Sequence, residues 1–111
     1  MSNTVKINGS NKEYTLSSNI KIYALIDAGF KKTVNGNYTY EHPLYKDSPY
    51  NATAKLKMTI NKELNHLTMV VTDINGLTKV NIFKNKQLVS MVELLQFVLK
   101  DLEEKEIIVE N

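Results

Sequence analysis

The stretch HPLYKDSPYN, residues 42–51, brings together many side chains that could do chemistry. It contains both prolines, one of the two histidines, two tyrosines, an acid and an amide. A histidine beside a carboxylate supplies a general base, and hydroxyl, amide and aromatic groups orient small polar ligands. One interpretation is therefore a pocket for an amino-acid-like ligand. Its ligand-binding residues would be His42, Tyr45, Asp47, Tyr50, Asn51 and Tyr40.

The other interpretation of this stretch is a turn, which we favour. Each proline restricts the preceding residue to extended or turn geometry, and Asp47 and Ser48 are common turn residues. Tyrosines often cover the edge of a small core while their hydroxyls stay in water. These residue types therefore need no ligand to explain them.

A second candidate site is a sheet face formed by Lys55, Lys57, Lys79 and Phe83. Lysine charge together with one aromatic ring suits contact with RNA through the backbone and stacked bases. However, all 14 basic residues are lysines, because the chain has no arginine. The bidentate contacts that arginine makes with phosphate and guanine are absent, so a nucleic-acid partner is disfavoured.

The composition excludes several chemistries. The chain has no cysteine, so it can form no disulfide, thiolate zinc site or persulfide. His42 and His66 lack the spacing of a zinc site, and the acidic residues at 101–106 are typical of a solvated helix end. The four glycines are too far apart for a phosphate-binding loop. We therefore expect no catalytic residue, no metal and no cofactor.

Alternating apolar residues and turn residues predict two hairpins. The first joins residues 4–8 to 12–16, and the second joins residues 30–34 to 37–41. Asn35-Gly36 suits a two-residue turn with positive φ at both positions.

Residues 19–28 favour a short helix between these hairpins. Ser17 or Ser18 would cap its start, and Gly29 would end it. An extended segment around residues 20–23 is the alternative.

The middle of the chain predicts a three-stranded meander. Residues 54–60 alternate strictly between apolar and polar side chains, which is typical of a half-buried strand. The meander continues through residues 67–72 and, after a turn at 73–76, through residues 79–83.

A long helix is predicted from an N-cap near Asn85 to about Glu104, with a short strand at 107–109 after it. Its apolar residues cover most of its circumference. They are Leu88, Met91, Val92, Leu94, Leu95, Phe97, Val98, Leu99 and Leu102. So wide an apolar surface needs cover on more than one side, and we expect this helix to lie between two sheets.

The predicted fold is α+β, with two antiparallel β-sheets packed on one long, largely buried C-terminal helix. A length of 111 residues is typical of one domain, predicted over residues 1–111. Residues 1–4 lack the pattern of a signal peptide, and no apolar run approaches the roughly 20 residues of a membrane span. We therefore expect a cytoplasmic protein.

Four segments carry a family resemblance: LIDAGF at 25–30, SPYNA at 48–52, KLKMTI at 55–60 and NGLTKVNIFK at 75–84. Their content and order resemble the domain of unknown function 1831 family, small proteins of low-GC Gram-positive bacteria. The resemblance implies two sheets packed on one principal helix. It also implies a distant likeness to prokaryotic S-adenosylmethionine decarboxylases, and genes beside those for cysteine desulfurases and tRNA thiolation.

The sequence lacks residues that the decarboxylation and sulfur-transfer reactions require. Decarboxylases of that kind mature by cleavage between a glutamate and a serine, and they use a nearby cysteine and histidine. This chain has no Glu-Ser pair and no cysteine. We therefore expect neither that decarboxylation nor the relay of sulfur as a persulfide.

The favoured function is an accessory or binding protein, linked by the resemblance to amino-acid or sulfur metabolism. By resemblance alone, it would dock to or regulate a metabolic enzyme such as a cysteine desulfurase, or the tRNA-thiolation machinery. A small-molecule binder or weak enzyme using residues 42–51 is the alternative. An RNA-contacting auxiliary in tRNA modification is the second alternative.

Overall fold

The structure is a computed structural model that describes residues 4–84 and 86–111, with the backbone alone described for Pro49 and Gln87. The predicted helix start near Asn85 lies outside the described residues.

Two antiparallel sheets and two α-helices form the described part of the chain. The first sheet has the order β1 (Val5–Lys6), β2 (Glu13–Leu16) and β7 (Ile108–Glu110). The second has the order β3 (Lys31–Lys32), β4 (Tyr38–Leu44), β5 (Ala54–Ile60) and β6 (Leu67–Asp73). The helices are α1 (Ile22–Ala28) and α2 (Val89–Glu104), with 3-10 turns at Pro49–Asn51 and Lys86–Leu88. The predicted α+β fold, with two antiparallel sheets and a C-terminal helix, is confirmed.

The strand β5 shows why the larger sheet has one buried face. Ala54, Leu56, Met58 and Ile60 are buried, while the residues between them are partly exposed. Side chains alternate across a strand, so this sequence buries one complete face and leaves lysines on the other. Each large apolar side chain buried in this way contributes about 1.5–3 kcal/mol.

The β3–β4 hairpin lies where predicted, but its loop is one residue longer. Gly36 N–H donates to Thr33 O at 2.9 Å, and Thr33 N–H donates to Asn37 O at 2.7 Å. Gly36 has a φ of 89°, whereas Asn35 does not have a positive φ. The prediction of a two-residue turn with two positive φ angles is therefore wrong. A three-residue loop needs only one left-handed residue, which glycine supplies.

The predicted strand at residues 79–83 is wrong. In the described residues this segment joins β6 through one isolated bridge at Lys79 and a 3.0 Å bond from Val80 N–H to Val71 O. A continuing strand would also bond Val71 N–H to Val80 O. Instead the Asn8 side chain lies between them, accepting from Val71 N–H at 3.2 Å and donating to Val80 O. The meander therefore ends at β6.

The helix α1 confirms the short helix predicted between the hairpins. It ends at Gly29, which has a φ of 109°. The predicted cap at Ser17 or Ser18 is wrong, because the N-cap residue is Lys21 and no side chain caps the helix. Ser17 Oγ instead accepts from Asn19 N–H at 3.1 Å, which closes a turn before the helix.

The helix α2 packs against β7 of the first sheet and β4 of the second, as the apolar pattern predicts. Its buried residues are Met91, Leu95, Val98, Leu99 and Leu102. Phe97 is 72% exposed, so the buried arc is narrower than the sequence suggests. The reason is geometric, because Phe97 lies about 200° around the helix from Leu95 and faces away from both sheets.

Tyr14 on β2 provides a pH-dependent test of the first sheet. It is 4% exposed. Burial raises the pKa of Tyr14 to about 12, with smaller contributions from the carboxylates of Glu110 and Glu103. The unfolded phenol ionises near pH 10, before the folded one. The resulting stability is therefore complete below pH 10 and is lost as the pH rises towards 12.

We expect the free energy of unfolding to fall between pH 10 and 12, and to fall less in Tyr14→Phe, which has no phenol to ionise. Urea unfolding at each pH measures this difference. Tyr23→Phe is the matched control, since Tyr23 is exposed. If the free energy of unfolding fell equally with pH in the native chain and in Tyr14→Phe, the prediction would be contradicted.

Candidate functional site

The second half of the stretch 42–51 forms a surface turn. Asn51 N–H donates to Ser48 O at 2.9 Å, and Tyr50 N–H donates to Ser48 Oγ at 3.3 Å. The Tyr50 side chain is 97% exposed, and Asp47 and Asn51 are also exposed. The side chains of Asp47, Tyr50 and Asn51 therefore extend into solvent.

His42 lies on β4, opposite Leu56, on the face of the sheet that contains the core. Its Nδ1 lies 2.8 Å from Pro43 O. A carbonyl oxygen only accepts, so Nδ1 carries the proton in this contact. Within the described residues no hydrogen bond or ion pair joins His42 to Asp47. The ligand site at residues 42–51 therefore stays a prediction.

Tyr40 belongs to the edge of the core. Its ring stacks on Phe30 with centroids 4.9 Å apart and an angle of 23°. Burial raises the pKa of Tyr40, with a smaller contribution from the Asp101 carboxylate on α2. A Cβ at Gly29 would lie 3.4 Å from the Tyr40 ring. Tyr45, also predicted as a ligand residue, is partly buried beyond the end of β4.

In the predicted nucleic-acid face, Lys55 and Lys79 flank Thr72, because Lys55 pairs with Thr72 on β6 and Thr72 forms an isolated bridge to Lys79. Lys55 and Lys57 lie on the partly exposed face of β5, and Lys55 Nζ lies 3.0 Å from Glu41 Oε1. Lys79 is exposed at its isolated bridge, whereas Phe83 is partly buried against the core. The aromatic ring that base stacking requires is therefore not free on this face.

A different group of residues surrounds a cavity of about 270 Å³ between the start of α1 and the end of α2. We call it the α1–α2 cavity. Its polar lining consists of Asn19, Lys21, Tyr23, Asp27, Lys105 and Glu106. Two side chains of each charge sign thus line one small space.

One face of α1 forms the first wall of the α1–α2 cavity. Tyr23 and Asp27 are four residues apart, so they lie on the same face of the helix. Lys21 precedes them as the N-cap residue, with an extended backbone. Its carbonyl accepts from Ala24 N–H at 3.1 Å, which fixes the first turn and the position of the lysine.

The end of α2 forms the opposite wall. Ile107 N–H donates to Leu102 O, and Glu106 N–H donates to Glu103 O, each at 3.0 Å. These two bonds are those of a Schellman motif, whose left-handed residue is usually glycine. Here that residue is Glu106, with a φ of 59°. A residue with a Cβ costs about 1–2 kcal/mol in this conformation.

The protein neutralises the charges of this cavity only in part. Lys105 Nζ lies 2.5 Å from Asp101 Oδ2, one turn earlier on α2. Within the described residues, Lys21, Asp27 and Glu106 form no ion pair. Two carboxylates and one ammonium therefore stay available to a ligand.

The charged residues of the α1–α2 cavity were not predicted from the sequence. Lys21 and Asp27 lie near one end of the chain, and Lys105 and Glu106 near the other, so no local pattern joins them. One signal was present, because no glycine follows Gly76. Roughly a third to a half of helices end with a left-handed residue, usually glycine, so without a glycine any such residue near Glu104 has to be of another type.

Nearly the whole chain matches a known family. The DUF1831 family model, described as "Putative amino acid metabolism", matches residues 1–109. The chain belongs to the DUF1831 family. A crystal structure of a DUF1831 family protein from Lactobacillus plantarum is 41% identical, with a TM-score of 0.89. That similarity covers 97% of this chain and 95% of the other. A comparison with curated proteins finds no match.

Membership in DUF1831 confirms the resemblance carried by the four sequence segments. The family description indicates a broad role in amino-acid metabolism and names neither a substrate nor a partner. In the described part of this DUF1831 protein, the helices are too short or too polar to cross a membrane. The same residues contain no cluster of histidine and acidic side chains arranged to hold a metal ion.

Two tyrosines of the predicted ligand site should differ sharply in their contribution to stability. Tyr40→Ala should lower the free energy of unfolding by about 2–3 kcal/mol, because it removes the ring stacked on Phe30. Tyr50→Ala should change it by less than about 0.5 kcal/mol, because the ring lies in solvent. Urea unfolding of both variants measures the difference, and similar losses would show that the turn at Pro49–Asn51 packs differently.

Proposed function

We propose that this DUF1831 protein is a non-catalytic binding protein of amino-acid metabolism, whose ligand is a small zwitterion bound in the α1–α2 cavity. The observation that carries the proposal is Glu106, a left-handed glutamate at a position where glycine would be more stable. Backbone strain of this kind is concentrated at ligand sites and active sites, although Leu64 in the β5–β6 loop adopts the same φ of 59°. The carboxylate of Glu106 lines the cavity together with Lys21, Asp27 and Lys105.

The charges of the cavity match an amino acid. The ammonium of the ligand would pair with the carboxylates of Asp27 and Glu106, and its carboxylate with the ammonium of Lys21. Lys105 is already paired with Asp101, so it contributes less charge. Hydrogen bonds between ionised partners are about twice as strong as neutral ones, which makes both charges of the ligand necessary for tight binding.

The volume of the cavity limits the size of the ligand. Sites for drug-sized molecules span roughly 300–1,000 Å³. A cavity of about 270 Å³ lies below that range. It suits a single amino acid better than a nucleotide cofactor. The exposed ring of Tyr23 at the rim offers an apolar surface to the side chain of the ligand.

The Glu106 variants test this proposal. Glu106→Gly should raise the free energy of unfolding by roughly 0.5–1 kcal/mol, because glycine adopts positive φ without strain. Glu106→Gln keeps the strain and removes only the charge. Both variants should bind the ligand at least about tenfold more weakly, since each loses a charged partner.

The measurement is thermal unfolding in the presence of individual free L-amino acids. A ligand at about 100 times its Kd adds about 2.7 kcal/mol, which raises the Tm of a domain this size by about 10 °C. The matching amine and the matching 2-oxo acid, which each keep one charge, should bind more weakly. Lys62→Gln is the control because Lys62 is an exposed loop residue. If no amino acid raised the Tm, the proposal would be overturned.

A second candidate function is docking to a metabolic enzyme, and the exposed apolar residues of α1 favour it. Ile22 and Ile26 are each 52% exposed and lie one turn apart on the same side of the helix. Apolar residues side by side on a helix are typical of a contact surface. We propose a cysteine desulfurase as the partner, which follows from the family resemblance alone.

Binding to a purified bacterial cysteine desulfurase, measured by isothermal titration calorimetry, tests the docking proposal. Ile26→Glu should weaken the complex at least about tenfold, because it would bury an unpaired charge at the contact. Val34→Glu is the matched control, since Val34 is a fully exposed apolar residue of the β3–β4 loop. Absence of binding, or an equal loss in both variants, would exclude this surface.

A further inference from the structure

A second cavity lies where the turn after β1 meets the edge strand β6. We call it the seam cleft, and its volume is about 410 Å³. Its cationic and hydroxyl groups come from Lys6, Ser10 and Lys79, and its apolar lining residues are Ile7, Met69 and Val70. No residue of the α1–α2 cavity lines it.

The walls of the seam cleft are held in place by Asn8. Its Oδ1 accepts from Val71 N–H at 3.2 Å, and its Nδ2 donates to Val80 O. The next residue, Gly9, packs so closely that a Cβ there would lie 2.1 Å from Asn81 Oδ1. The turn after β1 is thereby joined to β6 and to the segment that follows it. The cleft is therefore a formed feature of the fold.

The charged side chains that line the seam cleft are both lysines, while Glu13, outside the lining, lies opposite Lys6 on β2. Lys6 and Lys79 are exposed, and the described lining contains no acidic residue. Neither lysine forms an ion pair within residues 4–84 and 86–111. Ser10 Oγ accepts from Lys12 N–H at 3.2 Å, which leaves the hydroxyl proton to donate. Two ammonium groups and a hydroxyl donor suit a dianion.

The apolar lining of the cleft favours a ligand that also has an apolar group. Ile7 and Met69 belong to the buried core, whereas Val70, the third apolar residue of the lining, is partly exposed and offers apolar surface to a ligand. An inorganic ion would contact only the charged rim, whereas an organic anion could also cover this apolar surface.

We propose that the seam cleft binds an organic phosphate monoester, with the phosphate at Lys6, Lys79 and Ser10 and the apolar group against Val70 and the edge of Met69. A phosphate monoester carries about −1.5 to −2 charges at pH 7, which the two lysines balance. This site is independent of the α1–α2 cavity and of its amino-acid-like ligand.

Titration of the full chain with phenyl phosphate, followed by ¹H–¹⁵N NMR, tests the proposal. The amide signals of Gly9, Ser10 and Lys79 should shift together and saturate. Lys6→Gln and Lys79→Gln should each raise the Kd about tenfold, and added salt should raise it further. Lys86→Gln is the matched control, since Lys86 is an exposed lysine outside the cleft.

Two other probes separate the contributions of charge and apolar contact. Benzoate, a monoanion with the same ring, and inorganic phosphate, which has no ring, should both bind more weakly than phenyl phosphate. Glu106→Gln should leave the Kd of phenyl phosphate unchanged, so failure at one cavity does not imply failure at the other. Shifts spread over other lysines, equal weakening by Lys86→Gln, or equally tight binding of benzoate would each overturn the proposal.

Discussion

The antiparallel pairing of β2 with β7 is the interaction on which the α1–α2 cavity depends. It is extended at both ends, because Ser17 N–H donates to Ile107 O at 3.0 Å and Asn111 N–H donates to Glu13 O at 2.8 Å. These bonds hold the end of α2 against the turn that precedes α1. The two walls of the cavity thus come from segments near opposite ends of the chain, and a small sheet sets their separation.

Much of the fold was predictable because the deciding patterns are local. The alternation in β5 and the helical spacing of Leu95, Leu99 and Leu102 each specify one buried face, and the structure buries those residues. The errors arise where a distant side chain decides the outcome. The segment 79–83 has the composition of a strand, but Asn8 occupies the hydrogen-bonding positions that a strand would need at β6. No sequence pattern near residues 79–83 predicts that the Asn8 side chain takes these hydrogen bonds.

The candidate site was harder to predict, for a physical reason. The stretch 42–51, together with Tyr40, is rich in polar and aromatic groups, but successive side chains of a strand point to opposite faces, so closeness in sequence does not show which of them converge. Tyr40 packs on Phe30 while Tyr50 lies in solvent. Convergence of charge instead occurs where separate elements meet. Lys21 and Glu106 are brought together by sheet pairing, which single-sequence patterns do not encode.

The β2–β7 pairing also determines when the cavity can exist during synthesis. Contacts between residues far apart in sequence form only after the intervening chain has been made. Ribosomes add about 5–20 residues per second, so the synthesis of β7 follows that of β2 by roughly 5–20 s. Until β7 emerges, Lys21 and Asp27 have no opposite wall. On the proposed function, a nascent chain cannot respond to its ligand, and occupancy of the cavity marks a polypeptide synthesised through Glu110.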